Sequence, residues 1–233
     1  MQWIGTSGYN YPEWKGSFYP EKMPAAKMLP YYAERFTTVE INYTFYRIPN
    51  EKIVTGWAAQ VPPTFKFTLK APRRITHDSR LRDCADLVTG FCNVAATLGD
   101  QLGTLLFQLP PNFKRDLPLF ETFLEAFPPK VMAAFEFRHD SWHDDGVYEA
   151  LRKRNLALCI ADTGERSTPL VETADYGYFR LRDEGYQQAD IERWAQVVKE
   201  RTSKWRETFV YFKHEEEGKG PEFAAQLIAS LQQ

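Results

Sequence analysis

The chain has 233 residues, 43% of them hydrophobic and 26% charged, which excludes a disordered chain and fits an ordinary globular protein. The net charge of −2 gives no global attraction to nucleic acid or membrane and leaves only a local basic site to hold an anion. No apolar run approaches the length of a membrane span and no signal peptide precedes Gln2-Trp3-Ile4-Gly5, so a cytoplasmic protein without a membrane partner is expected. Cys84, Cys92 and Cys159 are odd in number and read as reduced thiols.

In chain order, Trp3 to Thr6 reads as a short strand, followed by a turn- and aromatic-rich loop from Ser7 to Gly16. Pro24 to Phe36 has Met28, Leu29, Tyr32 and Phe36 at helical spacing. Thr38 to Tyr43 is a second strand, Glu51 to Gln60 a helix, and Phe65 to Lys70 a third strand. Arg80 to Leu98 has the periodicity of a long amphipathic helix. Gly103 to Leu109 is a fourth strand, ended by Pro110-Pro111, and Leu117 to Phe127 a helix. A fifth strand starts at Ala133 and ends in Glu136-Phe137-Arg138-His139. Gly146 to Arg154 is helical and Ala157 to Asp162 a sixth strand. Ser167 to Asp175 is too rich in Pro and Thr for a full helix. Gly177 to Arg182 and Thr208 to Lys213 are the seventh and eighth strands, with helices at Ile191 to Lys204 and Glu222 to Leu231.

Strand and helix thus alternate eight times, which demands a parallel sheet with helical crossovers. The length suits one domain over 1–233. The expected fold is α/β, a single (β/α)8 TIM-type barrel with an irregular or missing helix after strand six. A doubly wound open sheet is the alternative, but its strands would be apolar on both faces, and at least five strands here carry polar residues on one face.

Working residues of such barrels lie at the C-terminal strand ends. Counting alternate positions there collects Glu40, Asn42, Lys70, Gln108, Glu136, Arg138, Asp162, Arg180, Arg182 and Lys213, with His77, His139 and His214 in or near the following loops. Three acids and five bases in a confined mouth favour an anionic ligand, held by bidentate Arg and point-charge Lys. Glu136, Glu40 and Asp162 are the catalytic candidates. Glu136 is expected to face a wet mouth, where water solvates whatever charge its loss would leave. The opposing expectation is that Glu40 and Glu136 pair with lumen bases and close the barrel with a polar layer. No His-x-His or Cys-x-x-Cys spacing supports a metal site, so none is assigned. Gly5-Thr6-Ser7-Gly8 reads as a tight loop that brings Tyr9, Tyr11 and Trp14 over the mouth, to stack on a ligand or, for Trp14 above all, to plug the barrel.

An ordered set of motifs runs along the chain. It includes Gly5-Thr6-Ser7-Gly8-Tyr9, Tyr11-Pro12-Glu13-Trp14-Lys15-Gly16, Val39-Glu40-Ile41-Asn42, Lys70-Ala71-Pro72, Ile75-Thr76-His77, Leu106-Phe107-Gln108-Leu109-Pro110-Pro111, Glu136-Phe137-Arg138-His139 and Ala161-Asp162. In these the chain resembles the YecE-like family, also called domain of unknown function 72. The resemblance implies a TIM-type barrel and no assigned activity. Its barrel is similar to the endonuclease-four and xylose-isomerase group, which implies a phosphodiester or sugar substrate by analogy. The chain departs from that group in lacking its dense His, Asp and Glu cluster. It departs from many relatives at Arg180-Leu181-Arg182 and at Tyr211-Phe212-Lys213-His214.

The resulting expectation is binding or processing of an anionic substrate at the C-terminal mouth: a phosphorylated sugar, a nucleotide or a nucleic-acid end. As an enzyme it would be a hydrolase or isomerase. The alternative is a non-catalytic anion-binding or scaffold protein with a polar, plugged barrel. The ligand-binding candidates are Asn42, Lys70, His77, Gln108, Arg138, His139, Arg180, Lys213, Tyr9 and Trp14. No residue pattern names a cofactor or an oligomeric state.

Overall fold

The last strand closes on the first. In the computed structural model, which describes residues 1–129 and 131–232, β8 (Glu207–Phe212) pairs in parallel with β1 (Gln2–Ser7), from Gln2 against Thr208 to Thr6 against Phe212. Between them come β2 (Thr38–Ile41), β3 (Lys66–Lys70), β4 (Leu102–Gln108), β5 (Ala133–Glu136), β6 (Ala157–Asp162) and β7 (Tyr176–Leu181), each bonded to the next in sequence order. The described residues therefore form a closed eight-stranded parallel barrel. Around it lie α1 (Met28–Ala33), α2 (Tyr43–Tyr46), α3 (Glu51–Ala58), α4 (Ala85–Ala96), α5 (Leu117–Glu125), α6 (Asp145–Arg152), α7 (Gln188–Thr202) and α8 (Lys219–Leu231).

Strand side chains alternate faces, and here the two faces meet different partners. Phe67, Leu69, Leu105, Phe107, Phe135 and Phe179 point outward into one large apolar layer shared with the helices. Trp3, Leu106, Ala134, Ala157, Cys159, Ala161, Tyr176, Tyr178, Phe209 and Tyr211 pack inward. Small alanines on β5 and β6 face large tyrosines and an arginine from β7 and β8, which fills the lumen without overcrowding. Above the lower rings the Tyr211 hydroxyl bonds Thr38 Oγ1 at 2.7 Å and Thr68 Oγ1 at 2.8 Å.

Among the described residues, no helix forms between β6 and β7. The segment folds back beside β6 instead: Thr168 N bonds Ala161 O at 2.8 Å, and Leu158 N bonds Thr173 Oγ1 at 2.7 Å. These bonds anchor the segment to β6 without a helix. The helix expected from Arg80 starts only at Ala85. Arg80, Leu81 and Asp83 adopt left-handed backbone, with φ of 47°, 68° and 46°, and Leu81 N bonds Ile75 O at 3.0 Å. Apolar spacing at Leu81 and Cys84 imitated a helical turn that the backbone does not make. No helix among the described residues is long and apolar enough to cross a membrane. The cysteines are buried and unpaired.

Two expected mouth residues lie elsewhere. Asp162 is outside the lumen, because Cys159 and Ala161 take the inward positions of β6 and the next residue must point out. Its Oδ2 accepts from Tyr186 Oη at 2.9 Å and from Trp194 Nε1 of α7 at 3.1 Å; its Oδ1 accepts from Gly164 N at 3.2 Å. Trp14, 1% exposed, packs in the outer apolar layer against Tyr11, Phe18 and Tyr19. It does not plug the barrel lumen.

The Asp162 arrangement sets a stability test. Asp162→Ala leaves a buried hydroxyl and a buried indole N–H without acceptors, at about 1–3 kcal/mol each. Urea denaturation is expected to show a loss of roughly 2–6 kcal/mol, most of it recovered in Asp162→Asn, with ligand binding at the mouth unchanged in both.

Candidate functional site at the barrel mouth

The inward positions at the C-terminal strand ends bring an ionised cluster together. Arg180 of β7 sits at its centre, fully buried. Its Nε donates to Glu40 Oε1 at 3.1 Å and Oε2 at 3.2 Å, and its Nη2 donates to Glu40 Oε1 at 3.0 Å and to Ser7 Oγ at 3.1 Å. Its Nη1 donates to Glu136 Oε2 at 3.1 Å. Four of the five guanidinium N–H groups are committed in this way. One arginine therefore spans the lumen from β2 to β5, and the neighbouring small residues leave it room.

Glu40 is saturated. Besides Arg180 it accepts hydrogen bonds from Ser7 Oγ and Tyr178 Oη, and it has no exposed surface. Burial alone would raise its pKa, but the Arg180 charge and these hydrogen bonds outweigh that and hold the carboxyl below its ordinary range. Tyr178 is pushed the other way, by burial and by Glu40, and stays a hydroxyl donor.

Glu136 is held differently. Its Oε2 accepts from Arg180 and from Gln108 Nε2 at 2.8 Å, while Oε1 meets only Arg182 Nη1, at 3.6 Å. Burial raises its pKa, but the charges of Arg180 and Arg182 outweigh that and lower it, so it too is an anion. Glu136 lines a cleft of about 490 Å³ with Arg138, Arg166 and Arg182. At 1% exposure it forms the floor of that cleft, not a solvated rim, so the expectation of a wet Glu136 does not hold.

The cations are less well matched. Lys70 of β3 donates to the neutral Gln108 Oε1 at 2.9 Å and lies 4.3 Å above the Phe45 ring. Among the described residues it has no carboxylate partner. Burial and then the Arg180 charge push it down to about 8. Burial also lowers Arg182; Glu136 opposes this, and Arg180 and Arg138 add to it. Arg138 is exposed and forms no ion pair among the described residues. Lys213 is paired with Glu215 at 2.7 Å.

Other expected residues take different places. Asn42 follows β2, and its Nδ2 donates to Ser7 Oγ at 2.9 Å. Its Oδ1 has no partner among the described residues. Tyr9 and Asn42 line a separate cleft of about 290 Å³ with Tyr43 and Trp57. His77 lies in a single π-helical turn (Arg74–Asp78) against Phe45. Burial, with Lys70 and Arg73 nearby, pushes it down to about 4, so the ring is neutral. His139 caps the turn at Asp140–Trp142, accepting from Ser141 N at 3.1 Å. His214 is buried, with Nε2 against Asp183 O at 2.8 Å. Among the described residues no three His, Cys, Asp or Glu side chains are grouped to hold a metal ion.

Sequence reasoning did not single out Ser7 or Tyr178 as site residues. Tyr178 lies two before Arg180 and shares its parity, so that signal was there; Ser7 was read as loop, and the strand reaches it.

The molecule is thus a TIM-type barrel whose lumen ends in a buried Glu–Arg–Glu bridge flanked by Lys70 and Arg182. A family model described as "Protein of unknown function DUF72" matches residues 3–233, and the chain belongs to that family. UPF0759 protein YecE of Escherichia coli K12 is 32% identical over 157 residues, 67% of this chain but 55% of YecE, so the match spans little over half of that relative. UPF0759 protein YunF of Bacillus subtilis is 24% identical over 270 aligned residues, covering 99% of this chain and 95% of YunF. A DUF72 family protein from Thermotoga maritima superposes with a TM-score of 0.90 at 28% identity, over the whole of both chains.

The bridge makes a ranked prediction. Glu40→Gln removes the partner that holds most of the Arg180 donors and is expected to cost about 3–5 kcal/mol. Glu136→Gln leaves Arg180 with Glu40 and should cost less, about 1.5–3 kcal/mol. Both carboxyls have depressed pKa values, so their stabilisation is present above about pH 4.5 and is lost as pH falls through the lower folded values. Equal costs in urea denaturation at neutral pH would refute the asymmetry.

Proposed function

We propose that the barrel binds an anionic ligand bearing a phosphate or similar group at its C-terminal mouth. The observation that carries this reading is a surplus of cations inside the lumen, where Lys70, Arg180 and Arg182 face two carboxylates, Glu40 and Glu136. In the cleft above, Asp140 and Glu165 offset Arg138 and Arg166. Lys70 and Arg182 are both held below their ordinary pKa values, a cost that a bound anion would relieve.

The roles divide by accessibility. Arg180 and Glu40 are spent on each other and set the floor. Lys70, Arg182 and Arg138 are the groups placed to meet an anion. The Glu136 Oε1 edge, bonded only loosely to Arg182, suits a hydroxyl of the same ligand and is the carboxylate best placed to take a proton from it. A purely structural polar layer is the competing reading. The saturation of Glu40 and Arg180 favours it, but it offers no reason for Lys70 to be buried beside a neutral amide.

Sulfate tests the reading, because its charge stays constant across the relevant pH range. Sulfate is expected to raise the unfolding temperature, and Lys70→Met or Arg182→Met to weaken it about 10- to 100-fold, the worth of one charge-assisted hydrogen bond. Binding requires protonated Lys70, so affinity should fall as pH rises through about 8. A sulfate response that is absent, or indifferent to both substitutions and to pH, would sink the proposal.

A further inference from the structure

Beside the mouth, the loops after β2 and β3 form a surface that the barrel itself does not explain. Met1, Tyr43, Tyr46, Ile48 and Leu170 are the exposed large apolar side chains among the described residues, and three of them fall within positions 43–48. Tyr46 is 80% exposed and Tyr43 43%. Single exposed apolar residues are ordinary; a cluster at the rim of a binding mouth is not. The two loops are tied together, since Phe45 packs on His77 at 4.9 Å and Thr44 Oγ1 bonds Lys70 O at 2.6 Å.

The same surface is basic. Arg73 is paired with Asp78 at 3.1 Å and Arg80 lies over the Phe113 ring at 5.9 Å, but Arg47, Arg74 and Arg80 have no carboxylate partner among the described residues. The second loop also keeps an unusual backbone, the π-helical turn followed by left-handed Arg80, Leu81 and Asp83. Non-glycine residues are held there only against a conformational penalty.

We infer that this ledge binds single-stranded nucleic acid, laying unstacked bases on Tyr46 and Tyr43 while Arg47, Arg74 and Arg80 follow the phosphates toward Lys70. This deepens the anion-binding reading of the mouth and rests on it. Three properties select the ligand. Three guanidinium groups without a carboxylate partner among the described residues exceed what one phosphate neutralises, so the complement is a polyanion. Aromatic faces beside them suit planar rings, and every base has a π-face. Bases within a duplex are already stacked, so a single strand or a frayed end is the form with rings to offer.

The test uses the whole chain and fluorescence anisotropy with a labelled oligothymidylate of about ten nucleotides, a length within the usual site sizes. Binding is expected to be tighter than to the same length of duplex, and to weaken with salt. Tyr46→Ala, on a side chain 80% exposed, should weaken it about ten-fold without changing the salt dependence. Arg74→Ala and Arg80→Ala should each flatten the slope of log affinity against log salt by roughly 0.7. Circular dichroism confirms that the variants remain folded. No oligonucleotide binding at low salt overturns the inference. So does equal affinity for duplex or heparin with no effect of Tyr46→Ala, which would leave a mere polyanion patch. If sulfate still stabilises the chain in that case, the mouth reading survives and only the ledge falls. If sulfate also fails, both fall.

Discussion

The upper lumen depends on one buried guanidinium held between two carboxylates on opposite sides of the ring. Ions in a lumen have lost their water, and several kcal/mol per ion must be recovered from mutual attraction and hydrogen bonds. Arg180 achieves this because its fork is planar and always charged, so it meets Glu40 along one edge and Glu136 with the other nitrogen. The rest of the upper lumen follows. Ser7 and Tyr178 complete the Glu40 shell, Gln108 completes that of Glu136, and Asn42 can only turn its amide N–H to Ser7, whose own proton is given to Glu40.

That bridge separates two kinds of polar residue that look alike in a list. Below it, the Tyr211, Thr38 and Thr68 hydroxyls bond one another. Above it, Lys70 is left with an amide and an aromatic ring, and Arg182 with one long contact to Glu136. The proposed ligand site is this unsatisfied upper layer, and the bridge is what gives it a rigid, charged floor. A preorganised floor matters because donors held in place by packing need not be reordered when an anion arrives.

The loops add what strands cannot. The π-helical turn after β3 and the short α2 after β2 carry Phe45 and His77 against Lys70, and project Tyr43 and Tyr46 outward. In barrels of this type the strands supply stiffness and the loops at their C-terminal ends supply selectivity. Here the exposed Tyr43 and Tyr46 and the arginines Arg47, Arg74 and Arg80 come from two adjacent loops, which gives that side of the mouth its own chemistry.

Much of the fold was legible from the chain alone, for a physical reason. Period-two alternation with polar residues on one face and phenylalanine or leucine on the other encodes which side of a strand meets the helices. Eight such strands spaced by helical segments leave a closed parallel barrel as the natural arrangement. The same parity placed Glu40, Lys70, Gln108, Glu136 and Arg180 at one end of the lumen. It failed at Asp162, because Ala161 and Asp162 are both short, and neither polarity nor size reveals which of two neighbours faces in. It also failed for Trp14 and for the Arg80 segment, where loop backbone, not periodicity, sets the direction. Only the tertiary structure decided which ions pair. Sequence counts charges on a face but not the distances between strands, and those distances commit Arg180 to its carboxylates and leave Lys70 without one.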